Sequence, residues 1–70
     1  MDKRILETIK KQYPIGSRVE LVQMDDVQAP PVGTLGTVVG VDDIGSIMVS
    51  WDNGSSLNVL YQKDKVKNIY

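Results

Sequence analysis

The sequence predicts a mainly β domain, a small barrel of about five strands with an amino-terminal α-helix packed against it. Three observations predict it. From Ser17 onward, short apolar runs recur at roughly ten-residue spacing with glycine-rich turns between them. The stretch Gly33 to Val59, GTLGTVVGVDDIGSIMVSWDNGSSLNV, holds two hairpin signals, Asp42-Asp43-Ile44-Gly45 and Asp52-Asn53-Gly54. Ahead of these runs, Ile5, Leu6, Ile9 and Tyr13 make one apolar stripe at helical period.

Residues 2–12 form the helix in this reading. Asp2 suits the amino-terminal cap, and Lys10 and Lys11 suit the negative end of the macrodipole. Pro14 disfavours the α conformation at Tyr13, so the helix stops there. A single stripe on three turns is marginal alone in water and must dock on the barrel. The division is therefore residues 1–13 as a packed helix and 14–70 as the barrel, together one domain.

After Pro14-Ile15-Gly16, residues 17–22 alternate as a half-buried strand with Val19 and Leu21 inward. Gln23 to Val32 is a long loop carrying Asp25-Asp26 and Ala29-Pro30-Pro31, whose prolines favour an extended path. Loops of this length in a compact domain are often functional, which makes it the first place to seek recognition. Residues 37–41 give the second strand, and Ser46 to Trp51 the third, with Ile47, Val49 and Trp51 on one face.

Register discriminates between turn types. A two-residue Asn53-Gly54 loop pairs Ser50 with Leu57 and turns Leu57 and Val59 away from the Ile47/Val49/Trp51 face. A three-residue loop, with Gly54 left-handed, pairs Ile47 with Val59 and gathers the apolar residues on one side, and is preferred for that reason. At the other turn, Val41 pairs with Ile47 and Val39 with Val49. That leaves Val38 outside unless Gly40 marks a bulge that reverses the facing, and both arrangements stay open. Residues 60–70 read either as a short last strand or as a helical turn.

Seventy residues bury only roughly 60% of the surface that the unfolded chain exposes, so the core is thin. Cysteine and histidine are absent, which removes disulfides, thiolate zinc sites and the commonest general base. Ser17 and Ser55-Ser56 have no base to activate them. The expectation is a protein that is not an enzyme and holds no cofactor or metal. There is no apolar run near the ~20 residues of a membrane span, and only Ile5 and Leu6 follow Met1–Arg4 before Glu7, so no signal peptide or membrane association is expected. Cytoplasmic residence follows as the expectation.

Charge divides along the chain. Residues 1–13 and 61–70 are each net basic, whereas residues 14–60 set Arg18 alone against Glu20, Asp25, Asp26, Asp42, Asp43 and Asp52. A solvated surface that keeps a small protein soluble accounts for most of this.

The residues Gly16-x-Arg18-Val19, Gly33-Thr34-x-Gly36-Thr37-Val38 and Val49-x-Trp51-Asp52-Asn53-Gly54 resemble the small SH3-like barrels, among them KOW-type and Mib/Herc2-type modules. A fuller string adds Tyr13-Pro14-x-Gly16, Met24-Asp25-Asp26, Ala29-Pro30-Pro31-x-Gly33-Thr34, Val41–Gly45 and Ser55-Ser56-Leu57. It is similar to a family of small uncharacterised bacterial and phage-associated proteins, classed as a domain of unknown function. The resemblance covers about residues 13–60 and implies the fold and a bacterial, phage or mobile-element setting, without an activity or site residues. From about Leu60 the chain departs from the pattern, which usually has Pro-Gly before an acidic residue; Tyr61-Gln62-Lys63-Asp64 stands there instead.

The candidate sites follow from these features. Asp25-Asp26 and Asp42-Asp43 lack the alternating spacing of a calcium loop, and aspartate is a natural turn residue, so they read as turn formers rather than metal ligands. Trp51 is either a lid over an open end of the barrel or a platform for a ligand. Signalling SH3 domains grip proline helices with a tyrosine-rich motif and a tryptophan pair, neither of which this chain has. The function expected is a protein-interaction module whose 23–33 loop presents Asp25 and Asp26, with Asp43 and Trp51 alongside, to a basic protein partner. The alternative is a KOW-like nucleic-acid-binding accessory in which Lys10, Lys11, Lys63 and Lys65 join into one patch. It has only Tyr13, Trp51, Tyr61 and Tyr70 for base stacking, and the acidic body repels phosphates.

Overall fold

The structure, a computed structural model, describes residues 1–69. Helix α1 (Lys3–Gln12) starts where an Asp2 carboxylate oxygen accepts the Arg4 backbone N–H at 2.7 Å. It stops at Tyr13, whose N–H still reaches the Ile9 carbonyl at 2.9 Å before Pro14 forces the chain out of the helix. Of the predicted stripe, Ile9 is fully buried, Leu6 and Tyr13 are half-buried, and Ile5 lies on the exposed flank.

Five strands follow: β1 (Arg18–Gln23), β2 (Leu35–Val41), β3 (Ser46–Trp51), β4 (Val59–Leu60) and β5 (Lys65–Asn68). They form one antiparallel sheet in the order β4-β3-β2-β1-β5. The sheet curls until its two edge strands, β4 and β5, approach each other, but among the described residues no ladder joins them. The mainly β class with an amino-terminal helix is thus as the sequence predicts, as a curled sheet with one unpaired seam. Ile9 completes a core made by Val19 and Leu21 of β1, Val38 of β2, Ile47, Val49 and Trp51 of β3, and Val59 of β4.

Registry settles the question left open at Gly40. Val41 pairs with Ile47 and Gly40 with Met48, then the register shifts and Val38 pairs with Val49. Val39 is the extra residue, pushed outward to 53% exposure, while Val38 turns fully inward. The bulge therefore places Val38 in the core without expelling Val41.

The second turn follows the three-residue reading. The Trp51 N–H bonds to the Ser55 carbonyl at 3.0 Å, Gly54 takes φ of 90°, and Ile47 pairs with Val59. Between these points residues 56–58 leave the ladder, and the Trp51 indole N–H takes the Leu57 carbonyl at 2.8 Å. Leu57 is accordingly half-buried rather than a core residue.

Residues 60–69 combine the two readings of the tail, a tight turn followed by a strand on β1. The Lys63 and Asp64 N–H groups both bond to the Leu60 carbonyl, and an Asp64 carboxylate oxygen accepts the Leu60 N–H at 3.0 Å. Gln62 takes φ of 70° in this turn, a left-handed conformation that costs a residue with a Cβ.

Gly36 sits opposite Trp51 and under Val49, and a Cβ there would lie 2.5 Å from Val49 Cγ1 and 2.8 Å from Trp51 Cε3. Gly36→Ala is expected to lower unfolding free energy by about 1–3 kcal/mol, measured by urea denaturation. Gln62→Gly is expected to raise it by about 0.5–1 kcal/mol in the same assay, because it relieves the left-handed strain at an exposed position.

Candidate functional site

The β1–β2 loop, residues 24–34, is tied down at its base. Leu21 and the loop exchange two backbone bonds, the Gly33 N–H to the Leu21 carbonyl at 2.8 Å and the Leu21 N–H to the Thr34 carbonyl at 2.9 Å. Asp26 makes a local turn by accepting the Gln28 N–H at 2.7 Å, and Thr34 closes another by donating its hydroxyl to the Pro31 carbonyl at 2.6 Å. Pro30 is buried, so the proline segment packs onto the body rather than standing out as an arm.

Each acidic pair divides its labour. Asp26 and Asp42 are turn formers as expected, Asp42 accepting the Ile44 and Ser46 N–H groups at 3.1 and 2.8 Å. Asp25 and Asp43 are exposed, and among the described residues their carboxylates have no hydrogen-bond or ion-pair partner. The loop enters β2 at Leu35 and the 42–45 turn leaves it at Val41, so the pairs attach at opposite ends of that strand. Among the described residues no three carboxylates are grouped to hold a metal ion.

Trp51 requires a correction. It is 2% exposed, packed over Gly36 with its indole N–H satisfied by Leu57, and it offers no open face to a ligand. Its large apolar area is used by the core of a domain that has little else to bury.

The basic residues lie in several settings, Lys65 lining a cleft that Tyr13, Tyr61 and Asp64 share. Lys67 lies 3.6 Å from Glu20, Lys63 lines a cleft with Asp25, Asp26 and Asp64, and Lys10 and Lys11 lie at the end of α1. The helix end meets the far end of β5, where the Asn68 side-chain amide donates to the Gln12 carbonyl at 2.9 Å. Tyr70 lies outside the described residues.

The cleft that receives Lys63 was not foreseen. It encloses about 220 Å³ between the β1–β2 loop and the β4–β5 turn, with Met24, Leu57 and Leu60 as its apolar lining and Asp25, Asp26 and Asp64 around it. Its sequence signal is faint, since the pairing of β1 with β5 brings Asp64 to Asp25 across the chain. The Asp64 side chain is also engaged, holding its own turn through the Leu60 N–H.

Arg18 and Asp52 bridge β1 to the β3–β4 turn. The guanidinium donates to Thr37 Oγ1 at 2.8 Å and, through both terminal nitrogens, to the two Asp52 oxygens. The hydrogen bonds from Arg18 hold the Asp52 carboxyl below its ordinary value. With the folded value below the unfolded one, the contribution of this group is present above the unfolded value and is lost as pH falls through the folded one.

These features define a small antiparallel β module with an amino-terminal helix and an acid-rimmed cleft at one seam. The chain belongs to the family described as Domain of unknown function (DUF4314), whose model matches residues 2–69. The match extends through α1 and past Leu60, so the segment that departs from the recognised pattern is still part of the family domain. No curated protein and no solved structure matches the chain. No described helix is long and apolar enough to cross a membrane.

Asp52→Asn is expected to lower the thermal midpoint slightly at neutral pH and to leave it unchanged at acid pH, where Asp52 is protonated, so that the fall on acidification flattens, followed by circular dichroism.

Proposed function

We propose that the protein is a non-enzymatic, SH3-like protein-interaction module that works in the cytoplasm of a bacterium, in a host, phage or mobile-element assembly. Its partner presents a basic segment to the cleft between the β1–β2 loop and the β4–β5 turn. The observation that carries the reading is the composition of that cleft, lined by Met24, Leu57 and Leu60 together with Asp25, Asp26 and Asp64. An arginine or lysine suits such a lining, its aliphatic stem against the apolar residues and its charged head among carboxylates. Asp25 is exposed and has no side-chain partner among the described residues, so a bound cation need not displace a contact seen there. Lys63 on the same cleft favours a partner that also carries a hydrogen-bond acceptor there.

The nucleic-acid alternative is the weaker reading, since Lys67 lies 3.6 Å from Glu20 and Lys63 shares its cleft with Asp25, Asp26 and Asp64, which repel phosphates. A capped peptide alternating leucine and arginine, titrated into isotopically labelled protein, tests the proposal by amide shifts. Shifts concentrated at residues 24–26 and 57–64 are expected. They should weaken roughly tenfold in apparent affinity in the Asp25→Lys/Asp26→Lys double variant. Equal shifts from the glutamate counterpart of the peptide, or no change on the double substitution, would exclude the cleft as the recognition site.

A further inference from the structure

We propose that the groove between the end of α1 and the outer face of the β2–β3 hairpin receives the β2–β3 turn of a second copy of this chain, and that the two copies do so reciprocally. The inference concerns a different surface from the acidic cleft and does not rest on it.

The groove is the larger of the two, about 630 Å³, walled by Tyr13, Pro14 and Ile15 on one side and by Val39, Val41 and Met48 on the other. The outer face of a one-sided antiparallel sheet is ordinarily polar. Here the bulge turns Val39 outward to 53% exposure, Ile15 beside it is 78% exposed, and Met48 lies over Gly40. Apolar side chains gathered along an outer groove in this way suit a docked aliphatic side chain.

Charge selects the occupant. The one charged residue lining the groove is Lys10, in the last turn of α1 with Lys11 beside it. The complementary ligand is therefore an aliphatic side chain next to a carboxylate. The chain itself carries that pair at Asp43-Ile44, where Ile44 is 72% exposed and Asp43 has no partner among the described residues. Asp42 holds the turn in shape through the Ile44 and Ser46 N–H groups, so the presented pair is preorganised. The turn caps the same hairpin whose face makes the groove. A two-fold axis beside the hairpins sets each Ile44 against the partner's Val39, Met48 and Ile15, and each Asp43 near the partner's Lys10, a closed arrangement that leaves no unfilled groove.

Sedimentation equilibrium of the full chain from about 1 µM to about 1 mM is the test, with dimer expected in the upper part of that range. Val39→Glu and Ile44→Ser, both at exposed positions, are each expected to weaken association at least roughly tenfold, with the thermal midpoint unchanged at about 1 µM, where the chain is monomeric. Lys10→Glu and Asp43→Lys are each expected to weaken it roughly three- to fivefold, and the double variant to recover most of that loss. A chain that stays monomeric throughout overturns the proposal. So does a dimer indifferent to Val39→Glu, or a double charge swap no better than its single parents.

Discussion

Placing Val39 as an extra residue in β2 lets one short strand serve two faces. With a regular ladder, either Val38 or Val41 faces solvent and the core loses one of its few side chains. The bulge keeps Val38 fully buried opposite Val49 and holds Val41 against the core opposite Ile47. Burial of one aliphatic side chain is worth roughly 1.5–3 kcal/mol, a large share of the net stability of so small a domain. The same insertion presents Val39 outward beside Ile15, so the device that completes the core also makes the outer face apolar.

The other end of the β2–β3 ladder is organised around Trp51. Its ring lies against Gly36 on the neighbouring strand, where a side chain would collide with both Trp51 and Val49. Its indole N–H takes the Leu57 carbonyl, which fixes residues 55–58 as they cross the edge of the sheet out of ladder pairing. Arg18 reaches Asp52 from β1 and anchors the same turn from the exposed side. Leu57 is thereby held half-buried at the cleft, between the core and the acidic loop. The position of the cleft's apolar lining thus depends on a buried ring as well as on the loop that carries its carboxylates.

What could be read from the sequence was local or set by one alternating face. The helix was legible because Asp2, the stripe through Ile9 and Pro14 all speak within one segment. The pairing of Ile47 with Val59 was legible because only one turn length collects the apolar residues of β3 and β4 together. The bulge was not, since Val38 and Val39 are both valines and the choice between them is made by Val49 across the ladder. Trp51 offers the same lesson: platform and core plug have one sequence, and the decision rests on its pairing with Gly36. In the tail, Gln62 occupies a left-handed position without a glycine to announce the turn. Asp64, Lys63 and Leu60 join Asp25 only through the pairing of β1 with β5, which no local pattern encodes.

The acidic pairs show how adjacent identical residues take different roles in a small domain. In each pair one carboxylate accepts backbone N–H groups and shapes the turn, Asp26 through Gln28 and Asp42 through Ile44 and Ser46. Its neighbour, Asp25 or Asp43, is left in solvent on a backbone that the first has already fixed. A carboxylate that must both cap a turn and bind a cation would lose one partner to gain the other, and the gain would be small. Dividing the tasks removes that competition and lowers the ordering cost of binding, because the loop is shaped before a partner arrives. Asp25 and Asp43, each without a side-chain partner among the described residues, belong to opposite ends of β2, one by the acid-rimmed cleft and one at the tip of the hairpin that forms the apolar groove. A 70-residue chain with one thin core thus keeps two surfaces of different chemistry apart.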